Sequence, residues 1–183
     1  AVLYRFGNAS FQDCLEHVRG KSQMEKQAMV DKLFEKVGKF DNPLRELEYA
    51  TASFDLIMDQ GAYFEFKRHR MMTQTVQDFS IEHGYATPLA ISDAGLEEKY
   101  QVCMAEIADL YSKIASWNPQ VAAYVLPNAF NRRVFCQVNL RSLFHFIKLR
   151  SASNAHFSIR RVAYGMLNYC SRITRSLQKR FWQ

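Results

Sequence analysis

The chain has 183 residues, of which 48% are hydrophobic and 14% aromatic, and its formal net charge is +6. This composition is typical of one globular domain and excludes an intrinsically disordered chain. The sequence has no apolar run long enough to cross a bilayer and no signal pattern at its amino terminus, so we expect no membrane partner and a cytoplasmic location.

The first part of the chain is predicted to contain two helices and one long strand. An amphipathic helix begins at Ser10 and ends near Gly20, and a second helix runs from a capping box of Ser22 and Glu25 to around residue 38. Small and apolar residues alternate with polar ones over residues 47–58, which predicts a half-buried strand.

The middle of the chain is predicted to be extended and then helical. Residues 71–81 are polar and rich in Thr and Gln, which favours an extended loop or strand. Ser92 and Asp93 are expected to cap the longest helix, which runs to about Ser116 with apolar residues along one stripe. A shorter helix follows from Asn118.

The last part of the chain is predicted to hold one strand and two helices. Residues 130–138 suit a strand, residues 139–150 a helix, and residues 154–173 a final helix capped by Ser153. Helices therefore dominate with a few strands. We predict an α+β fold and a single domain over residues 1–183.

The helix at residues 139–150 combines an apolar face with positive charge. The apolar face is formed by Leu140, Leu143, Phe144, Phe146 and Ile147. Arg150 falls inside this face, whereas Arg141, His145 and Lys148 lie on the opposite side. Because an unpaired buried charge is very costly, we expect Arg150 to need a carboxylate or an anionic ligand.

The charges are distributed unevenly. All 18 Asp and Glu residues lie at or before Asp109, and the chain beyond has only positive charges. This asymmetry indicates either that the two halves attract each other or that the second half faces an anionic partner.

The familiar motifs of nucleotide and metal sites are missing. The sequence has no glycine-rich phosphate loop, and its five histidines are not spaced as ligands on one helix face, so we predict no metal. The cysteines are widely spaced and are expected to be buried free thiols: Cys14, Cys103, Cys136 and Cys170. The triplet Arg68–Arg70 is the best candidate for binding a pyrophosphate, because arginine binds phosphate groups bidentately.

Two segments together resemble the flavin-dependent thymidylate synthases. One is the Arg-His-Arg triplet followed by the hydroxyl residue Thr73, and the other is the Asn-x-Arg-Ser-Leu-x-His-Phe-x-x-Leu-Arg helix of residues 139–150. The resemblance covers residues 42–175 and includes residues 155–160. It implies an α+β fold with several helices packed on a small, mainly antiparallel sheet, and a homotetramer.

The resemblance also implies an activity and its residues. Enzymes of this family use FAD, reduced by NADPH, to transfer a methylene from methylene-tetrahydrofolate to dUMP and reduce it to the methyl group of dTMP. Carried over by motif, the flavin-binding residues are Arg68, His69, Arg70, Thr73, Asn139, Arg141 and His145. Arg150 would be the catalytic residue, contacting the uracil and stabilising negative charge on its carbonyl, and Arg68 would also lie near the nucleotide.

The sequence departs from the family pattern where the dUMP phosphate is normally bound. After the triplet the family continues Ser-x-Asn-x-x-Ser-x-Arg, and these places hold Thr73, Thr75, Asp78 and Ser80 here. The loop has therefore lost an arginine and gained a carboxylate. Either the chain is a working enzyme with rearranged phosphate contacts, or it is one half of a duplicated synthase that a sister domain complements. The start at Ala1 leads us to expect a piece of a longer protein and favours the second form.

Two other interpretations remain open from the sequence. A non-catalytic polyanion or nucleic-acid binder is indicated by the acid-free second half and by the basic and aromatic residues 179–182. Alternatively, the chain is a structural domain in which Arg68, Arg70 and Arg150 pair with the acidic residues Glu46, Glu48, Glu65 or Asp78.

Overall fold

The computed structural model describes residues 1–35, 38 and 41–173, with side chains up to Cys170. The α-helices are α1 Val2–Phe6, α2 Phe11–Arg19, α3 Gln23–Phe34, α4 Gln60–Phe66, α5 Leu89–Asp93, α6 Glu97–Ala115, α7 Pro119–Ala122, α8 Leu140–Arg150 and α9 Phe157–Ile173. The strands are β1 Thr51–Asp59, β2 Met72–Val76 and β3 Asn131–Asn139, and short 3-10 helices span Arg45–Tyr49 and Ala123–Val125. Helices together with a small antiparallel sheet confirm the predicted α+β class.

Strand β3 is the middle strand of this sheet, in the order β1-β3-β2. Its alternation of apolar residues buries Val134, Cys136 and Val138 on one face, as the sequence predicts, and leaves Phe135 and Gln137 exposed on the other. A strand of this period can cover the protein interior with one face while the other meets solvent.

The chain forms two compact units. Unit 1 contains Ala1–Ala52, Val138–Ser153 and the described residues from Ala163 onward, and unit 2 contains Ser53–Gln137 and Asn154–Val162. The organisation of residues 1–183 as a single domain stays a prediction.

One buried apolar cluster of unit 2 is built around helix α6. Buried residues of α6, α7 and the chain leading into β3 form one cluster: Met104, Tyr111, Ala122, Leu126 and Phe130. The ring of Tyr85 packs edge-to-face on Tyr100 and on Phe130, with centroids 5.8 and 5.7 Å apart. This aromatic packing fixes the chain that follows β2 against the start of β3.

Unit 1 contains the two predicted amino-terminal helices and the buried face of α8. Capping boxes of Ser10 with Asp13 and of Ser22 with Glu25 begin α2 and α3, which confirms both predicted starts. Helix α3 ends at Phe34 rather than near residue 38. The buried apolar side chains described in this unit are Cys14, Phe34, Val138, Leu143, Phe146, Ile147, Ala163, Met166, Leu167 and Cys170.

Three further boundary predictions are wrong. The strand predicted over residues 47–58 begins only at Thr51, because Arg45–Tyr49 forms a 3-10 helix. The helix predicted from Ser92 begins at Glu97, because Gly95 adopts a φ of +67° and ends α5 first. The final helix begins at Phe157 and so is not capped by Ser153.

Three further observations concern the cysteines, the potential metal ligands and the lengths of the helices. The four cysteines are free thiols, and three are buried, but Cys103 is exposed because it lies on the solvent side of α6. Burial raises the pKa of Cys136 to about 11 and also raises that of Cys170. Among the described residues, no cluster of potential metal ligands is found, and no helix is long and apolar enough to span a membrane.

Candidate functional site

The predicted site residues fall into two groups, one in each unit. The group in unit 2 consists of Arg68, His69, Arg70 and Thr73, and the group in unit 1 consists of Asn139, Arg141, His145 and Arg150. Each group therefore lies on one short segment of its own unit, residues 68–73 in unit 2 and residues 139–150 in unit 1.

Helix α4 delivers the Arg-His-Arg triplet to the surface of unit 2. The helix is capped by Asp59, whose Oδ1 accepts a hydrogen bond from Ala62 N at 2.9 Å, and it ends at Phe66. The backbone then turns, and His69 N donates to Phe66 O at 3.0 Å. Arg68 and Arg70 are exposed while His69 is half-buried. The turn therefore presents two guanidinium groups to solvent at the end of a helix.

Strand β2 follows the triplet and presents its hydroxyl groups outward. Thr73 and Thr75 are exposed, and Gln74 between them is half-buried, as expected for a strand whose side chains alternate between two faces. Gln74 Nε2 donates to His69 O at 3.0 Å and to Phe66 O at 3.4 Å. The buried face of β2 is thus bonded directly to the backbone of the turn.

Arg132 of β3 fixes the loop that comes after β2. Its Nη2 donates to Gln77 O and its Nη1 to Gln60 Oε1, both at 2.9 Å. Its guanidinium carbon lies 4.6 Å from the ring centroid of Tyr63 and 5.4 Å from that of Phe79. Burial lowers the pKa of Arg132. Both terminal nitrogens are bonded within the protein, so this guanidinium stabilises the conformation of the loop.

The same loop carries the departures from the family's phosphate-binding pattern. Asp78 is exposed, and Ser80 is half-buried with its Oγ accepting a hydrogen bond from Glu82 N at 3.4 Å. Glu82 is a second exposed carboxylate within this segment. The loop thus exposes negative rather than positive side chains, which disfavours a phosphate group.

Helix α8 orders the group in unit 1. Asn139 caps the helix, with its Oδ1 accepting a hydrogen bond from Ser142 N at 2.8 Å. Arg141 Nη1 donates to Glu48 Oε1 at 2.7 Å, and Arg141 Nε donates to Pro43 O at 3.2 Å. Both side chains of this ion pair are 37% exposed. Arg141 therefore holds α8 to the chain before β1, and Nη2 is the terminal nitrogen that these two bonds leave unused.

The rest of α8 confirms the predicted helix, and Arg150 at its end is only half-buried. Leu143, Phe146 and Ile147 are buried, His145 is exposed, and Arg150 is half-buried. Both His145 and Arg150 have an interaction partner in the protein. Arg150 is the last residue of the helix and partly reaches solvent, and its expected pairing with a carboxylate or an anionic ligand stays a prediction.

Two of the four acidic residues considered as partners of Arg68, Arg70 and Arg150 bind other arginines instead. Glu46 accepts a hydrogen bond from Arg5 at 2.8 Å, and Glu48 binds Arg141 rather than one of the arginines first considered. The basic and aromatic residues 179–182, which indicated a polyanion binder, lie outside the described residues.

Comparison with known proteins decides the family. The sequence model of the thymidylate synthase complementing proteins matches residues 2–174. The chain belongs to this family. The match begins well before residue 42, where the resemblance seen in the sequence starts, so it also includes helices α1 to α3.

Individual relatives extend this result. The chain is 32% identical over 169 residues to a UPF0159 protein of Chlamydia pneumoniae, covering 90% of this chain and 31% of that protein. It is 28% identical over 135 residues to a UPF0159 protein of Thermoplasma acidophilum, covering 27% of that protein. It is 31% identical over 133 residues to the flavin-dependent thymidylate synthase of Pyrococcus furiosus, covering 66% of this chain and 54% of that enzyme. The chain thus spans less than a third of these UPF0159 proteins and about half of the synthase.

Sequence reasoning missed the residues that support the triplet. Asp59 caps α4, Gln74 bonds to the turn a few residues before it, and Arg132 holds the following loop from 55 residues away. A partial signal existed for Asp59, because Asp is a preferred helix cap. Gln74 and Arg132 left no comparable signal, since a polar residue within a polar strand or a basic residue in a basic half is unremarkable.

Proposed function

We propose that this chain is a flavin-binding domain of a thymidylate synthase, which methylates dUMP to dTMP. The exposed pair Arg68 and Arg70, held on a turn fixed at the end of α4, is the observation that carries the proposal. Family membership supports it, and so do the relatives named as flavin-dependent thymidylate synthases. The comparisons favour this function over polyanion binding.

The donor groups of the turn fit the pyrophosphate of FAD. Two guanidinium groups can each donate paired hydrogen bonds to phosphate oxygens, and His69 adds a donor or a flat surface for stacking. Thr73 is exposed on the adjacent strand and supplies a hydroxyl group. The flavin, when bound, supplies the hydride that reduces the transferred methylene to a methyl group.

The residues of α8 are proposed to bind the flavin and act on the uracil. Asn139, Arg141 and His145 would contact the flavin, with Arg141 using the terminal nitrogen that its bonds to Glu48 and Pro43 leave over. Arg150 would contact the uracil and stabilise the negative charge that develops on its carbonyl oxygen, which is electrostatic catalysis.

We further propose that the phosphate of dUMP requires residues from outside this domain. Asp78 and Ser80 replace the family's serine and arginine, and Arg132 is engaged within the fold. A sister domain or a second subunit of a homo-oligomer would then contribute the missing cation. NADPH and methylene-tetrahydrofolate as co-substrates, and a cytoplasmic location, belong to the same proposal.

Flavin binding by the purified chain tests this function. The wild-type protein is expected to bind FAD, as measured by quenching of flavin fluorescence, and Arg68→Ala or Arg70→Ala should weaken binding about tenfold or more, since a charge-assisted contact contributes about 1.5–3 kcal/mol. Arg19→Ala provides the matched control, because Arg19 is an exposed arginine at the end of α2. No FAD binding, or equal losses in all three variants, would refute the proposal.

Titration calorimetry with dUMP tests the incomplete phosphate site separately. The chain loaded with FAD should bind uridine and dUMP with similar weak affinity, because the loop offers no cation to the phosphate. Strong preference for dUMP over uridine by this chain alone would show that the site is complete without a partner. That outcome would reject the sister domain and leave the flavin proposal intact.

A further inference from the structure

Gln74 joins strand β2 to the turn that carries the Arg-His-Arg triplet. Its side chain lies on the half-buried face of β2, opposite Thr73 and Thr75. The amide nitrogen lies 3.0 Å from His69 O and 3.4 Å from Phe66 O, so one NH₂ group donates to both carbonyls. A side-chain amide has two N–H donors, and this geometry uses both of them on the turn.

These two carbonyls define the shape of the turn. Phe66 is the last residue of α4, and the final carbonyls of a helix have no partner within the helix. His69 N already bonds to Phe66 O, which closes the turn once through the backbone. Gln74 closes it a second time from the neighbouring strand. The backbone from Phe66 to His69 is therefore held at both ends.

We infer that Gln74 is a positioning residue for the flavin pyrophosphate, acting through Arg68 and Arg70. Its side chain points to the half-buried face of β2, so its effect is to fix the backbone from which the two exposed guanidinium groups project. A long arginine side chain already loses considerable rotational freedom on binding. A mobile turn would add backbone freedom to that cost, whereas a fixed turn presents both groups in one arrangement. This inference rests on the proposed function.

Two substitutions separate the hydrogen bonds from the volume of the side chain. Gln74→Met has a similar length but no N–H donor, and it should weaken FAD binding about tenfold while hydrogen exchange at the amides of residues 67–70 accelerates by a similar factor. Gln101→Met is the control, because Gln101 is an exposed glutamine on α6, and it should change neither quantity.

Gln74→Glu adds a readout that general loss of stability would not produce. An ionised carboxylate cannot donate to the two carbonyls, but a protonated one can donate a single O–H bond. The new side chain therefore holds the turn only when its carboxyl group is protonated. FAD affinity should be restored at low pH and lost as pH rises through the carboxyl pKa. The other titratable groups nearby are present in both variants: Glu65 of α4, His69 on the turn, Asp78 and Glu82 in the next loop, and the ligand. The affinity ratio of Gln74→Glu to Gln74→Met thus isolates the new carboxyl group.

The outcomes distinguish this inference from the proposed function. If the wild-type chain does not bind FAD, the proposed function fails, and the exchange rates of residues 67–70 still decide whether Gln74 fixes the turn. Faster exchange in Gln74→Met together with a pH-dependent recovery in Gln74→Glu supports the inference. Unchanged exchange and affinity in Gln74→Met, or an affinity ratio that does not vary with pH, would overturn it. Should Gln74→Met fail to fold, the affinity ratio of Gln74→Glu to the wild type, followed over the same pH series, provides the decision.

Discussion

Removing the hydroxyl group of Ser158 should destabilise the amino-terminal end of helix α4. Ser158 and Asp59 are the buried polar residues of the described chain, 4% and 6% exposed. Ser158 Oγ donates to Asp59 Oδ2, while Asp59 Oδ1 accepts the capping bond from Ala62 N. The two oxygens of one buried carboxylate thus join α9 to α4, the helix whose end carries the Arg-His-Arg triplet.

The expected magnitude follows from these contacts. Ser158→Ala removes one hydrogen bond to a charged group and leaves a buried carboxylate oxygen without that donor, at a cost of about 2 kcal/mol in the free energy of unfolding. Asp59→Ala loses the same bond and also the helix cap, which adds about 1 kcal/mol. Because the bond is shared, the double variant should cost about 1–2 kcal/mol less than the sum of the single variants.

Urea unfolding followed by circular dichroism measures these free energies. Ser112→Ala is the matched control, because Ser112 bonds only to a carbonyl of its own helix on an exposed surface, and it should change stability by less than about 0.5 kcal/mol. A loss in Ser158→Ala no larger than in the control, or free energies that add in the double variant, would refute the reasoning.

Three further predictions concern single groups. A thiol reagent should label Cys103 in the folded protein and reach Cys136, whose pKa is about 11, only on unfolding, and rapid labelling of Cys136 would contradict its burial. The pKa of Glu25 is lowered to about 2 by hydrogen bonds from the helix cap, so the cap persists well below the ordinary glutamate pKa and is lost as pH falls through about 2, and an ordinary value in an NMR titration would contradict it. Arg132→Lys should cost about 1–3 kcal/mol in urea unfolding because an ammonium group cannot reproduce the paired bonds to Gln60 and Gln77, and unchanged stability would oppose this role.

Elements with a clear period could be predicted from the sequence. Strand β3 alternates apolar residues along most of its length, and α8 repeats them at helical spacing, so both were predicted within one or two residues. The starts of α2 and α3 were equally clear, because a serine followed three residues later by an acidic residue satisfies the first free N–H groups of a helix.

Helix α4 could not be predicted from its own residues. It has seven residues, too few for a helical period to show, and its aromatic content resembles that of a strand. The helix is formed because Asp59 caps it and Arg132, far along the chain, stacks on Tyr63. The cap is a local contact, but the stacking of Arg132 on Tyr63 is tertiary, and a local pattern carries no information about it.

The candidate site shows the same division between local and distant information. The triplet and the α8 motif are contiguous in sequence, so their residues could be named in advance. Their supports could not, because Arg141 meets Glu48 93 residues away and Arg132 meets Gln77 55 residues away. Contacts between residues so far apart in sequence depend on strand pairing and helix packing, which the motif itself does not encode.

The position of Arg150 changes which observation supports a flavin site. In the sequence, its place on an apolar helix face led to the expectation of a carboxylate or an anionic ligand, because an unpaired buried charge is very costly. In the structure Arg150 is half-buried and is the final residue of α8, where a positive charge is stabilised by the carbonyl end of the helix dipole. Its charge is therefore compatible with the fold without a ligand. The case for flavin rests instead on Arg68 and Arg70, which the turn holds exposed at the surface.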